Sequence, residues 1–136
     1  MHQADIYGNA RVFGTGIAHV DCALASKKVI ISAEEIIETD EFRRDPGRTS
    51  IPHFVVDAVV HAPFGAYPGT MQGRYSSDPA HVVECFGGMM QGNLKAYLDK
   101  WVYSVSSHEE MLEKRVGWKK LQELQRRETI REGYSV

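Results

Sequence analysis

IPHFVVDAVVHAPFGAYPG, residues 51–69, decides how the chain is read. Its first half sets His53, Asp57 and His61 four residues apart. On a helix that spacing would stack three metal-ligating side chains on one face. The residues between them argue otherwise. Val55, Val56, Val59 and Val60 are β-branched, Pro52 precedes the run, and Pro63 and Gly65 follow it, so the stretch is predicted to be extended. In a strand, neighbours in the trio would lie roughly 13 Å apart, far outside one coordination sphere. No metal site is therefore expected. The strand reading puts Phe54, Val56, Ala58, Val60 and Ala62 on one face, expected to be core. His53, Val55, Asp57, Val59 and His61 take the other. Asp57, in so apolar a run, is expected to tie down a neighbouring turn, with a catalytic acid as the rival reading.

Working backwards, residues 39–50, TDEFRRDPGRTS, are charged and broken by Asp45-Pro46-Gly47, which reads as a surface loop. Residues 28–32, KVIIS, form a short β-branched run and a candidate buried strand. Gly14-Thr15-Gly16 opens a predicted helix through about Lys27, with Ile17, Val20, Ala23 and Leu24 on its buried face. Before it, His2–Ile6 and Ala10–Phe13 flank Tyr7-Gly8-Asn9, a hairpin signal.

Working forwards, Asp78-Pro79 marks a helix start that runs into Gly87-Gly88. Asn93 is placed to cap a second helix with Leu94, Tyr97, Leu98, Trp101 and Val102 on its apolar face. Ser107-His-Glu-Glu110 is a capping box before a third helical region carrying Met111, Leu112, Trp118, Leu121 and Leu124. Strands alternate with helices and helices close the chain, which predicts an α/β fold. The strands are few, so two readings stand: the chain completes a sheet that begins elsewhere, or it is a small self-sufficient α+β domain.

The chain has 136 residues, 43% apolar and 25% charged, the profile of one globular domain with a real core. A formal net charge of −2 favours neither nucleic acid nor an anionic membrane as partner. No apolar run approaches the ~20 residues of a membrane span, and MHQADIYGNARVFG carries no secretory signal. Cys22 and Cys85 are far apart, which suggests a reduced, cytoplasmic chain with both thiols as small core residues.

Searches for generic chemistry find no complete set. His81-x-x-Glu84 shares one helical face without further ligands, and an exposed polar face is the simpler reading. Gly14-x-Gly16 resembles the start of a dinucleotide fingerprint, but His19 stands where the third glycine belongs. No Gly-x-Ser-x-Gly elbow, Walker motif or Cys–His pattern occurs. What remains is the Gly/Pro loop Pro63–Gly69 after a hydrophobic strand, where α/β folds place ligands.

Several stretches together resemble one family, the A-type subunits of family I coenzyme A transferases of the glutaconate kind. They are residues 2–14, HQADIYGNARVFG; 27–39, KKVIISAEEIIET; 51–69; and 103–124, YSVSSHEEMLEKRVGWKKLQEL. The third is the most specific. Members are longer, and their glycine-rich first half has no counterpart here, so the likeness is to a single partial domain, residues 1–136, from the C-terminal portion of such a protein. The family's loop usually reads G-A-H-P, whereas this chain has Gly65-Ala66-Tyr67-Pro68.

The resemblance implies an open, mostly parallel sheet with flanking helices. It also implies transfer of coenzyme A from an acyl-CoA to a carboxylic acid through a glutamyl-CoA thioester. That glutamate belongs to a B subunit, in a Glu-x-Gly setting this chain lacks, so no catalytic residue is assigned. Coenzyme A enters as a substrate, with no tightly bound cofactor. The expected partners are the N-terminal half and the B subunit. Gly65, Ala66, Tyr67 and Pro68 are the candidate substrate-binding residues, with Gly14 and Gly16 as weaker ones; for each glycine, plain backbone need is the rival reading. A ring-opening CoA-thioester hydrolase of steroid breakdown and a non-catalytic, partner-binding fragment are the alternatives.

Overall fold

Asp5 organises the first turn of the chain. In the computed structural model, which describes residues 1–14, 16 and 18–129, its Oδ1 accepts the N–H groups of Tyr7, Gly8 and Asn9 at 3.0, 2.9 and 2.9 Å. Its Oδ2 accepts Asn9 Nδ2 at 2.8 Å. Gly8 sits at φ 105°, and a Cβ there would lie 2.8 Å from Val56 Cβ, so the turn needs glycine for both reasons. The turn joins β1 (Gln3–Ala4) to β2 (Ala10–Arg11) as an antiparallel hairpin. The expected hairpin is present, with shorter strands.

Contacts divide the chain into two compact units, Met1–Gly65 and the residues from Ala66 onward. In the first, α1 (His19–Ala25) follows Ala18, a non-glycine residue at φ 59°. The next elements are β3 (Ile30–Ala33), β4 (Glu35–Ile36), α2 (Thr39–Arg44) and β5 (Ala58–His61). β1 lies between β2 and β4 and runs parallel to β4, while β3 and β5 form a separate parallel pair. These small, mostly parallel sheets with flanking helices are the expected α/β class. Ala4, Ala10, Ala23, Val29, Ile31, Ala33 and Ile51 form the core. So many alanines let the backbones approach closely.

Four local expectations change here. The run from His53 is not one strand, because His53–Val55 makes a 3₁₀ turn and only Ala58–His61 pairs. That turn breaks the alternation, so Val55, Val56 and Val59 pack against the core while Phe54 is 77% exposed. Residues 39–44 are a helix rather than a loop. Phe42 is 4% exposed beneath the Arg11 guanidinium, 4.4 Å from its ring centroid. Arg11 in turn donates to the carbonyls of Glu41 and Asp45. The helix after Gly16 is shorter than expected; of its predicted face Ala23 is buried, Val20 and Leu24 are exposed, and Ile17 lies outside the described residues. Cys22 is exposed and Cys85 half-buried, so Cys22 is not core.

Asp57 does tie down a neighbour. Its Oδ2 accepts the Val29 N–H at 2.8 Å and its Oδ1 holds Lys28 Nζ at 2.6 Å, clipping the start of β3 to β5. Register pairs Ile30 with Ala58 and Ser32 with Val60 on the outer face of this pair, where Ile30 is 69% and Val60 47% exposed. No further strand continues this sheet among the described residues. Bare apolar strands of this kind associate. Ile30→Lys combined with Val60→Lys is therefore expected to lower light scattering of the isolated chain without loss of helical circular dichroism. Unchanged scattering would clear this face.

The second unit is helical. α3 (Pro79–Met90) starts where expected and continues past Gly87-Gly88. α4 (Leu94–Leu98) runs into a wide π turn, Asp99–Tyr103, and of its expected apolar face Leu94 and Val102 are exposed. α5 (His108–Met111) has the expected cap, with Ser107 Oγ accepting the Glu110 N–H at 3.1 Å. The Glu110 carboxylate returns to the Ser106 N–H, one residue earlier than a capping box requires. A π turn and Gly117, at φ 84°, separate α5 from α6 (Trp118–Thr129). Leu112, Leu121 and Leu124 are buried, but Trp118 is exposed. No described helix is long and apolar enough to cross a membrane.

Candidate functional site

The loop after β5 is held from several sides. Within the first unit, Phe64 takes φ 56° and donates its N–H to Glu34 Oε2 at 2.7 Å. Gly65 donates to the Ala62 carbonyl at 2.9 Å, and a Cβ on Gly65 would lie 2.7 Å from that oxygen. A side chain at this position would therefore collide with the backbone. Within the second unit, Ala66 donates its N–H to Tyr75 Oη at 3.0 Å, and Gly69 donates to the Ala66 carbonyl at 2.7 Å. The Tyr67–Pro68 bond is cis.

Tyr67 leads into a cluster that the sequence did not announce. Its hydroxyl lies 3.0 Å from Asp78 Oδ2 and 2.9 Å from His81 Nδ1. His81 Nε2 lies 2.8 Å from the Tyr97 hydroxyl, and the Trp101 ring stacks on the imidazole at 3.9 Å and 25°. His81 is only 6% exposed. The expected exposed polar face at His81-x-x-Glu84 is therefore corrected: the histidine is interior. Glu84 is the outer member, accepting Lys100 Nζ at 2.6 Å and Trp101 Nε1 at 3.1 Å. Asp78 does not cap α3 with its side chain; it turns to Tyr67, with Lys120 Nζ 3.5 Å from its Oδ1.

Burial sets the charges of this cluster. Desolvation holds the His81 imidazole below its usual pKa, against the opposing pull of Glu84 and Asp78. Desolvation also pushes the Tyr67 phenol far up, with Asp78 adding to it, and the Tyr97 phenol to about 12. Burial works to raise Asp78, but the Tyr67 hydroxyl and the Lys120 charge outweigh it and hold the carboxyl below its ordinary value. At neutral pH the group is therefore one carboxylate, one neutral imidazole and two neutral phenols.

Gly14 and Gly16 lie in the first unit on the wall of a cleft of about 500 Å³, with Ala18, His19, Arg48 and Ser50. Gly14 has φ 90°, and a Cβ on Gly16 would press on Val12 at 3.1 Å. Gly65 does not line that cleft. Arg48 is already placed over the Phe13 ring at 4.9 Å, with Asp45 3.7 Å from its Nε. Among the described residues no three or more His, Cys, Asp or Glu side chains group to hold a metal.

No family model matches the chain. Individual proteins do. An uncharacterised protein of Archaeoglobus fulgidus is 41% identical over 97% of this chain and 30% of its own length. The glutaconate CoA-transferase A subunit of Acidaminococcus fermentans is 40% identical over 82% of this chain and 35% of its own. The crystal structure of glutaconate coenzyme A-transferase from the same organism superposes with a TM-score of 0.83 and 38% identity, over 90% of this chain and 39% of that one. The decarboxylase AibA/AibB matches at 0.60 and 25% identity, over 75% and 36%. The chain spans about a third of the length of the curated relatives it matches.

Proposed function

We propose, for a chain homologous to the A-type subunits of coenzyme A transferases of the glutaconate kind, a share in moving coenzyme A from an acyl thioester to a carboxylic acid. The observation that carries this reading is the 40% identity with the glutaconate CoA-transferase chain over 82% of this one. The attacking carboxylate would come from a B subunit, and this chain would contribute the wall of the acyl or CoA pocket.

The Gly65–Pro68 loop suits that part. The N–H groups of Phe64, Gly65, Ala66 and Gly69 are already committed inside the protein. The loop would therefore offer shape rather than hydrogen-bond donors, and would pack against the ligand without rearranging. Gly14 and Gly16 would serve through the cleft they line.

Co-purified with a glutaconate-type B subunit, the chain is expected to support CoA exchange between an acyl-CoA and a free carboxylate. Gly65→Ala, whose methyl meets the Ala62 carbonyl at 2.7 Å, should displace the loop and slow exchange by ~10²-fold. Absence of exchange across a panel of short-chain and dicarboxylic donors would defeat the proposal. Thioester hydrolysis that ignores the acceptor would move the chain to the hydrolases. Release of CO₂ would place it with the decarboxylase it resembles.

A further inference from the structure

With the imidazole neutral and Asp78 ionised, the hydrogen-bond distances of the Tyr67–His81–Tyr97 cluster set one order of its protons. Asp78 is held ionised, so its Oδ2 only accepts, and the single Tyr67 proton must point to it across 3.0 Å. The Tyr67 oxygen is then left with lone pairs toward His81 Nδ1, 2.9 Å away, which must carry hydrogen. A neutral imidazole has one N–H, so Nε2 is bare and accepts the Tyr97 hydroxyl at 2.8 Å. The chain of donors runs in one direction, from Tyr97 through His81 and Tyr67 to Asp78. Trp101 stacks on the imidazole, and its own N–H is anchored on Glu84, one turn along α3 from His81. Neither ring can turn without breaking a hydrogen bond.

We infer that His81 is a positioning residue: locked as the Nδ1–H tautomer, it fixes the Tyr67 hydroxyl on Asp78 and thereby the backbone of residues 66–68. Its bearing on catalysis rests on the function proposed above; its bearing on the loop does not. Asp78 and His81 open α3, and Tyr97 and Trp101 belong to the next helical segment, so the relay joins the loop to two helical elements of the second unit. Tyr67 alone would be a phenol on a surface loop. With His81 behind it, the loop is part of the helical framework.

Nitrogen-15 NMR of the histidine rings in the free chain is expected to show His81 neutral at pH 7 with its proton on Nδ1. An Nε2–H ring or an imidazolium would overturn the inference. For kinetics, the chain would be assayed in complex with a B subunit. His81→Leu keeps bulk against Trp101 but removes both polar contacts, whereas His81→Asn returns a donor near the Nδ1 position. His81→Leu and Tyr67→Phe should each raise KM for the acyl-CoA ~10-fold or more. Their combination should be no worse than either alone, and His81→Asn should recover most of the loss. If His81→Leu lowers only the melting temperature and leaves transfer unchanged, His81 is structural and the positioning role fails. If the unmodified complex transfers no CoA, the functional reading fails instead. The ring tautomer, with the Ala66, Tyr67 and Gly69 amide shifts in His81→Leu, then still decides whether His81 sets the loop.

Discussion

Asp5→Ala is expected to cost ~3–4 kcal/mol of folding stability, measured by urea unfolding. One buried carboxylate accepts three consecutive backbone N–H groups and the Asn9 amide. Hydrogen bonds to a charged group contribute about 1.5–3 kcal/mol each, and the amides left behind in the turn lose their acceptor. Water reaches part of the turn, which keeps the total below the sum. The charge adds a pH signature. Burial works to raise the Asp5 pKa, but the Asn9 side chain and the turn amides outweigh it and hold the carboxyl below its ordinary value. A depressed carboxyl stabilises above the unfolded pKa, near 4, and that stability drains away as pH falls through the folded value. The unmodified chain should therefore lose stability below about pH 4 more steeply than Asp5→Ala. Parallel acid slopes would show that the turn does not depend on this charge.

Leu124→Ala should do comparable damage in the second unit, ~3–4 kcal/mol by the same measurement. Leu124 has no exposed surface, and Leu121, Leu112 and Tyr75 of the same unit are buried too. Its carbonyl also receives both the N–H and the hydroxyl of Ser76, which ties α6 to the segment before α3. A cavity there cannot refill from solvent-facing residues, and its cost scales with the volume that stays empty. Total stabilities of small proteins are commonly about 5–15 kcal/mol, so this one change would remove a large fraction. Leu94→Ala, at an exposed position on α4, serves as the contrast and should move the midpoint by less than ~1 kcal/mol. Equal effects would mean that α6 is not the spine of this unit.

Much of the local structure was legible. Gly8-Asn9 marked the hairpin because a tight turn needs a residue that tolerates positive φ. KVIIS marked β3 because β-branched side chains suit a pleated surface, although the strand is buried on one face only, with Ile30 exposed on the other. Asp78-Pro79 marked the start of α3, and Ser107, three residues before Glu110, marked the cap of α5. Asp57 was read as a clamp and is one. These signals act over two to four residues, and the chain carries them wherever it goes.

The misreadings share a cause. Residues 39–50 look soluble because five of the first seven are charged. What makes 39–44 a helix is Phe42, covered by Arg11 from about thirty positions earlier. Phe54 and Val60 were expected inside on alternation alone, and the 3₁₀ turn at His53–Val55 breaks that alternation, so that of the same expected face Val56 packs on the core while Phe54 and Val60 are exposed.

The candidate site divides the same way. By itself the sequence determined the loop, Gly65-Ala66-Tyr67-Pro68 after an apolar run, and the family that such a loop resembles. Only the tertiary structure decided what Tyr67 does. Its partners lie 11 and 14 residues away at Asp78 and His81, and Tyr97 is 16 beyond His81. No spacing rule relates a loop phenol to a helix imidazole at such distances. Burial does, because a histidine removed from water must find partners for both ring nitrogens, and here two tyrosines supply them.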